Sequence, residues 1–159
     1  MPTSAPPPTA PAPLDHDAAG RLRAVIGRVS RLLRATASAT EAELSPTRSS
    51  LLLAIDRRGP VRLAEIADSE GMNPTMLSRS ITQLVDAGLV RRRCDDGDRR
   101  AAWVEPTETG HALAERIRDE RTRAVNAALA ELPAQDRRTL QDAIPALERL
   151  SEALAEERR

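Results

Sequence analysis

Asn73-Pro74-Thr75-Met76-Leu77-Ser78-Arg79-Ser80-Ile81-Thr82-Gln83-Leu84-Val85-Asp86-Ala87-Gly88 decides how this chain folds. Asn73 is a side chain that accepts the orphan N–H groups of a first helical turn, and Pro74 is preset for the first helical position. Leu77, Ile81, Leu84 and Val85 recur at helical spacing, so one face is apolar and buried. Gly88 supplies the stop. The opposite face holds Thr75, Ser78, Arg79, Thr82 and Gln83, polar groups with no core to serve.

Working back from Asn73, Glu70-Gly71-Met72 reads as a tight turn and Leu63–Ser69 as a short helix with Leu63, Ile66 and Ala67 facing inward. Two short helices around a glycine turn, the second with a polar outer face, meet the requirement of a helix-turn-helix. Further back, Ser45-Pro46 opens another helix containing Leu51, Leu52, Leu53 and Ile55. Arg57-Arg58-Gly59-Pro60 ends it. Ala35–Leu44 is weakly patterned and is expected to be a loop. Leu22, Val25, Ile26, Val29, Leu32 and Leu33 mark an amphipathic first helix whose other face carries Arg21, Arg28, Arg31 and Arg34.

Forward of Gly88 the period changes to that of strands. Leu89–Cys94 and Ala101–Glu105 are predicted to pair as a β-hairpin wing across the polar turn Asp95–Arg100. Thr107, after Pro106, caps a long helix to about Glu131, with Leu113, Ile117, Val125, Leu129 and Leu132 apolar. Beyond Pro133 a last helix carries Leu140, Ile144, Leu147, Leu150 and Leu154, with a kink expected at Pro145. The predicted fold is mainly α with a small β-hairpin wing, a winged helix-turn-helix flanked by long dimerisation helices. The boundaries are a Pro/Ala-rich tail (1–14) expected to be disordered, a first dimerisation helix and connector (15–44), the winged lobe (45–106) and C-terminal dimerisation helices (107–159). Leucine stripes on three terminal helices exceed what one small lobe can bury, so two copies sharing a core are expected; a monomeric bundle is the alternative.

Composition narrows the function. The 159-residue chain has formal net charge zero and no lysine, so arginine placement carries any nucleic-acid argument. One cysteine, Cys94, and two isolated histidines, His16 and His111, make no metal site, and no cofactor is expected. A phosphate loop, a His-Glu metal motif and a nucleophile turn are all missing, which argues against an enzyme. The first residues lack a signal-peptide pattern and no apolar run is long enough to span a bilayer, so a cytoplasmic protein without a membrane partner is expected.

Leu63–Ala67, Asn73–Val90, Asp98-Arg99-Arg100 and Pro106–Gly110 together resemble the MarR family of bacterial winged helix-turn-helix transcription regulators. The specific combination is Ser-Arg in the second helix, Gly-Leu-Val entering the wing, and Asp-x-Arg within it. The resemblance implies a homodimer on a pseudo-palindromic double-stranded DNA operator, repression, and release by a small anionic or phenolic effector or an oxidant. Oxidant-sensing members place their cysteine near the start of the fold. Cys94 lies beside the wing instead, which points to a structural or incidental role.

On that reading Thr75, Ser78, Arg79, Thr82 and Gln83 face the major groove, where arginine on guanine and glutamine on adenine discriminate bases. Asn73 and its first-turn N–H groups approach a phosphate. Asp98 and Arg100 pair to shape the wing as in the family, and Arg99 or Arg100 enters a minor groove. Arg91 and Arg93 are the strand residues assigned to phosphate, with pairing to Asp95 or Asp96 the alternative. An effector pocket is expected among Arg28, Arg31, Leu32, Leu51, Leu52 and His111. The competing function is a winged protein–protein interaction module without specific DNA binding.

Overall fold

The computed structural model describes residues 16–94 and 102–157. Two compact units divide the chain at Leu32/Leu33. The first contains α1 (His16–Leu32), an amphipathic helix on which Val25, Ile26, Val29 and Leu32 are exposed. The second contains α2 (Ala37–Glu41), α3 (Pro46–Arg58), β1 (Val61–Arg62), α4 (Leu63–Glu70), α5 (Pro74–Asp86), β2 (Val90–Cys94), β3 (Ala102–Pro106), α6 (Glu108–Ala130) and α7 (Ala134–Glu156). This is a winged helix-turn-helix.

Local chemistry starts the helices as expected. Ser45 accepts from Arg48 N at 3.3 Å, Asn73 from Thr75 N at 2.9 Å and Thr107 from Gly110 N at 3.0 Å. Gly71 closes α4 in the left-handed conformation (φ 61°, ψ 35°), where a Cβ would be strained. That single residue turns the chain from α4 into α5.

The core lies where α3, α4, α5 and the first half of α6 meet the sheet. Leu52, Ile55, Ile66, Ile81, Leu84, Val104, Ala114 and Ile117 are fully shielded, with Leu51, Leu77, Val61, Leu89, Val90 and Leu113 nearly so. A buried leucine or isoleucine contributes about 1.5–3 kcal/mol. The stripe Leu77, Ile81 and Leu84 therefore holds α5 more firmly than helix propensity could, and leaves its polar face outward.

The structure corrects the sequence reading in two places. Ala35–Leu44 contains a helix, α2, because Thr36 caps it by accepting from Ala39 N at 3.3 Å and because Ser38 fastens it to α6. Ser38 N donates to both Glu120 carboxylate oxygens at 3.2 and 3.3 Å, and Ser38 Oγ donates to the same carboxylate. The wing also has a third strand. Val61 and Arg62 pair antiparallel with Val104 and Trp103, giving the order β1-β3-β2. Helix α7 continues through Pro145.

The root of the wing is closely built. Leu89 O accepts from Thr107 N at 3.1 Å, and Thr107 Oγ1 donates to Gly88 O at 2.7 Å. A Cβ on Gly110 would stand 1.9 Å from Leu89 O and 2.8 Å from its carbonyl carbon. The start of α6 thus presses against the joint between α5 and β2.

Candidate nucleic-acid interface

Helix α5 presents what its sequence spacing demands. Thr75, Ser78, Arg79, Thr82 and Gln83 are exposed and, with Pro74, line one open trough. Asn73 is exposed at the start of the helix, its Oδ1 committed to the cap. The Thr82 hydroxyl donates to Ser78 O at 3.0 Å. Six of the expected residues are therefore brought together on one surface.

Strand β2 separates its arginines by alternation. Arg91 lies directly opposite Glu105 in the register, and its Nε donates to Glu105 Oε1 at 2.5 Å. Arg93, two residues on and so on the same face, stands 3.6 Å from Glu105 Oε2. The shared carboxylate is itself buried. Arg92, which the sequence reading left out of the interface, belongs to the other face, and its Nη2 donates to Thr82 Oγ1 at 3.0 Å. The signal that could have found it was strand alternation beside a helix whose polar face was already assigned. Asp98, Arg99 and Arg100 lie outside the described residues, as do Asp95 and Asp96. On β1, the Arg62 guanidinium lies 5.1 Å from the Trp103 ring centroid, across the register pair.

Behind this surface α3 and α6 meet at a charged junction. Asp56, its side chain 2% exposed, holds His111 Nδ1 at 2.6 Å and accepts from Arg118 Nη1 at 2.6 Å; His111 Nε2 is 3.5 Å from Glu115. Burial pushes the Asp56 carboxyl up, but hydrogen bonds from His111 and Arg118, aided by their charges, hold it below its usual range. His111 is raised, first by its hydrogen bond to Asp56 and then by that carboxylate's charge.

The residues expected to line an effector pocket fall in both units. Arg28, Arg31 and Leu32 are exposed on α1, Leu52 is fully buried in the core, and His111 is engaged by Asp56. Leu51 alone of the six borders a recess of about 220 Å³ with Arg34, Pro46, Thr47, Ser50, Glu70 and Met72. Sequence reasoning missed Arg121. Its Nε and Nη2 are shielded from solvent with no hydrogen-bond partner, and burial, with the nearby Arg34 charge, pushes its pKa down. Helical periodicity gives no warning of such a residue. Among the described residues no group of His, Cys, Asp and Glu could hold a metal ion, and no helix is long and apolar enough to cross a membrane.

This geometry has relatives. An HTH-type transcriptional regulator of Bacillus subtilis (strain 168), YwhA, is 24% identical over 132 residues, spanning 79% of this chain and 93% of that one. A transcriptional regulator structure from Pseudomonas aeruginosa PA01 is 27% identical with a TM-score of 0.70, covering 86% of this chain and 94% of its own. A MarR-family regulator from Listeria monocytogenes, solved with a 26mer DNA, superimposes with a TM-score of 0.66 at 22% identity, over 87% and 89% of the two chains. Residues 44–102, from the end of the α2 connection through the helix-turn-helix and into the wing, match the model of the MarR family. The trough-lining helix and strands β1 and β2 lie inside that match and β3 starts at its last residue, so over its winged helix-turn-helix the chain is similar to the MarR family of transcription regulators.

Proposed function

We propose that the protein is a cytoplasmic, sequence-specific double-stranded DNA-binding repressor that reads a pseudo-palindromic operator as a homodimer. The observation that carries the reading is the exposed polar face of α5, with Thr75, Ser78, Arg79, Thr82 and Gln83 along one open trough. A helix laid into a major groove reads base edges with such side chains, and Arg79 supplies the planar fork suited to guanine. The DNA bound to the Listeria relative supports the same use of this fold. Asn73 serves phosphate through the helix start, and Asp98, Arg99 and Arg100 serve the minor groove.

In this proposal residues 45–106 are the reading lobe, while 15–44 and 107–159 supply the dimer. The apolar residues exposed on α7, Leu140, Ile144, Leu147 and Leu154, support a second copy as their cover. Release by a small anionic or phenolic effector is supported by Arg121, whose Nε and Nη2 are shielded without a hydrogen-bond partner near the Arg34 charge, a setting that favours an anion.

Anisotropy titration against the intergenic DNA upstream of its own gene, at two salt concentrations, tests the reading. Submicromolar, competitor-resistant binding that Arg79→Ala weakens by about 10–100-fold is expected, the equivalent of about 1–3 kcal/mol of base discrimination. Weak, strongly salt-dependent binding indifferent to Arg79 would overturn it.

A further inference from the structure

The run Arg91-Arg92-Arg93 looks uniform in sequence, and the structure makes its members unlike. Arg91 and Arg93 share Glu105, a buried carboxylate that offsets much of the charge they would offer an anion. Arg92 pairs in the register with Val104, which is fully buried, so the two side chains leave the sheet on the same, inward face. An arginine there must carry its charged end past the edge of the core. It does so alongside α5, and its guanidinium comes to rest on Thr82, one of the residues that line the trough.

Thr82 is changed by that contact. Its one hydroxyl hydrogen is donated to Ser78 O, and its oxygen accepts from Arg92. A hydroxyl so committed has no hydrogen left for a base edge. Arg92, by contrast, uses one N–H of the five that a guanidinium carries. The free donors therefore belong to the strand residue and the fixed hydroxyl to the helix.

We propose that Arg92 is a DNA-contacting residue of the interface, delivering its remaining N–H groups to a backbone phosphate while Thr82 serves as its mount. The inference rests on the reading of α5 as the groove helix. Arg92 thereby joins the wing strand to the reading helix across one side-chain contact, and the strand contributes one uncompensated arginine to the phosphate chain. Such a contact gives affinity and register without sequence preference.

The test uses full-length protein with two duplexes, one upstream of its own gene and one of random sequence, titrated across a salt series. Removing one phosphate contact from each protomer of the bound dimer lowers the slope of log K against log salt by about 2, on both duplexes alike. Arg92→Gln is expected to show that loss with about tenfold weaker binding at low salt, and Arg92→Lys to restore the slope. Melting followed by circular dichroism checks that each variant is folded. Wild-type binding with an unchanged slope in a folded Arg92→Gln protein would overturn the role of Arg92 and leave the groove reading intact. Failure of the wild type to bind either duplex would overturn both.

Discussion

The two halves of α6 are one continuous helix in two different environments. In the first half Gly110, Leu113, Ala114 and Ile117 are buried against the reading lobe. In the second half Val125 is exposed, Leu129 is half-buried, and the following α7 has no buried residue at all despite its leucine stripe. A helix is hydrophobic on a stripe only when something covers that stripe. The lobe is a finished core within one chain, whereas α7 carries the pattern of a core whose other side lies outside it.

Breaking the finished side should have the largest effect. Gly110→Ala drives a methyl into Leu89 O and its carbonyl carbon, backbone atoms that cannot swing away. A loss of about 3 kcal/mol or more is expected, read as a lowered urea midpoint, because overpacking against backbone exceeds the usual side-chain cost. A Gly110→Ala protein of wild-type stability would show that the joint between α6 and Leu89 is loose. The unfinished side gives a different signature. Ile144→Asp, at a position half exposed in the single chain, should raise the dissociation constant of the proposed dimer by about 100-fold, or about 2.7 kcal/mol. Sedimentation measures this, and the melting of the lobe, followed at low concentration, should be unchanged.

Asp56→Asn sharpens the comparison at the place where α3 grips the buried half of α6. Loss of the charge shared by His111 and Arg118 should cost about 1–2 kcal/mol, less than for a fully buried pair because both cations are about half exposed. The smallest effect is on pH. Asp56 sits below its usual 3.8, so its contribution is present above that value and is lost as pH falls through the depressed pKa. His111 sits above its usual 6.5, so its contribution is complete below 6.5 and is lost as pH rises through the raised pKa. The junction is therefore strongest between about pH 3.8 and 6.5, and His111→Gln should flatten the decline in stability on the alkaline side. An unaltered alkaline slope in that variant would mean that the His111–Asp56 contact adds nothing to folding.

The elements legible in the sequence are those written in neighbouring residues. Ser45-Pro46, Asn73-Pro74 and Pro106-Thr107 begin helices by chemistry that spans a few positions, and Leu77, Ile81 and Leu84 disclose which face of α5 turns inward. The polar face of α5 follows by subtraction. What escaped depends on partners far along the chain. Val61-Arg62 is a strand because Val104 and Trp103 lie opposite, and Ala37–Glu41 is a helix fastened by Glu120. Alternation along the strand sorts Arg92 from Arg91 and Arg93, but which partner each face meets, Thr82 or Glu105, is set only by the register and by the helix packed beside it. Likewise Asp56 meets its partners 55 and 62 residues later, beyond the reach of any spacing rule.

The length of α6 has a mechanical meaning. Twenty-three residues extend about 35 Å, and the N-terminal end is welded through Thr107 and Gly110 to the joint where α5 gives way to β2. A rod held at one end acts as a pointer: a tilt of about 5° at the joint swings the far tip through about 3 Å. That displacement is close to the rise of about 3.4 Å between successive nucleotides on one strand. Pushed from the far end, the same rod works as a reducing gear, in which a coarse movement near Ala130 arrives at the wing root as a fine adjustment of angle.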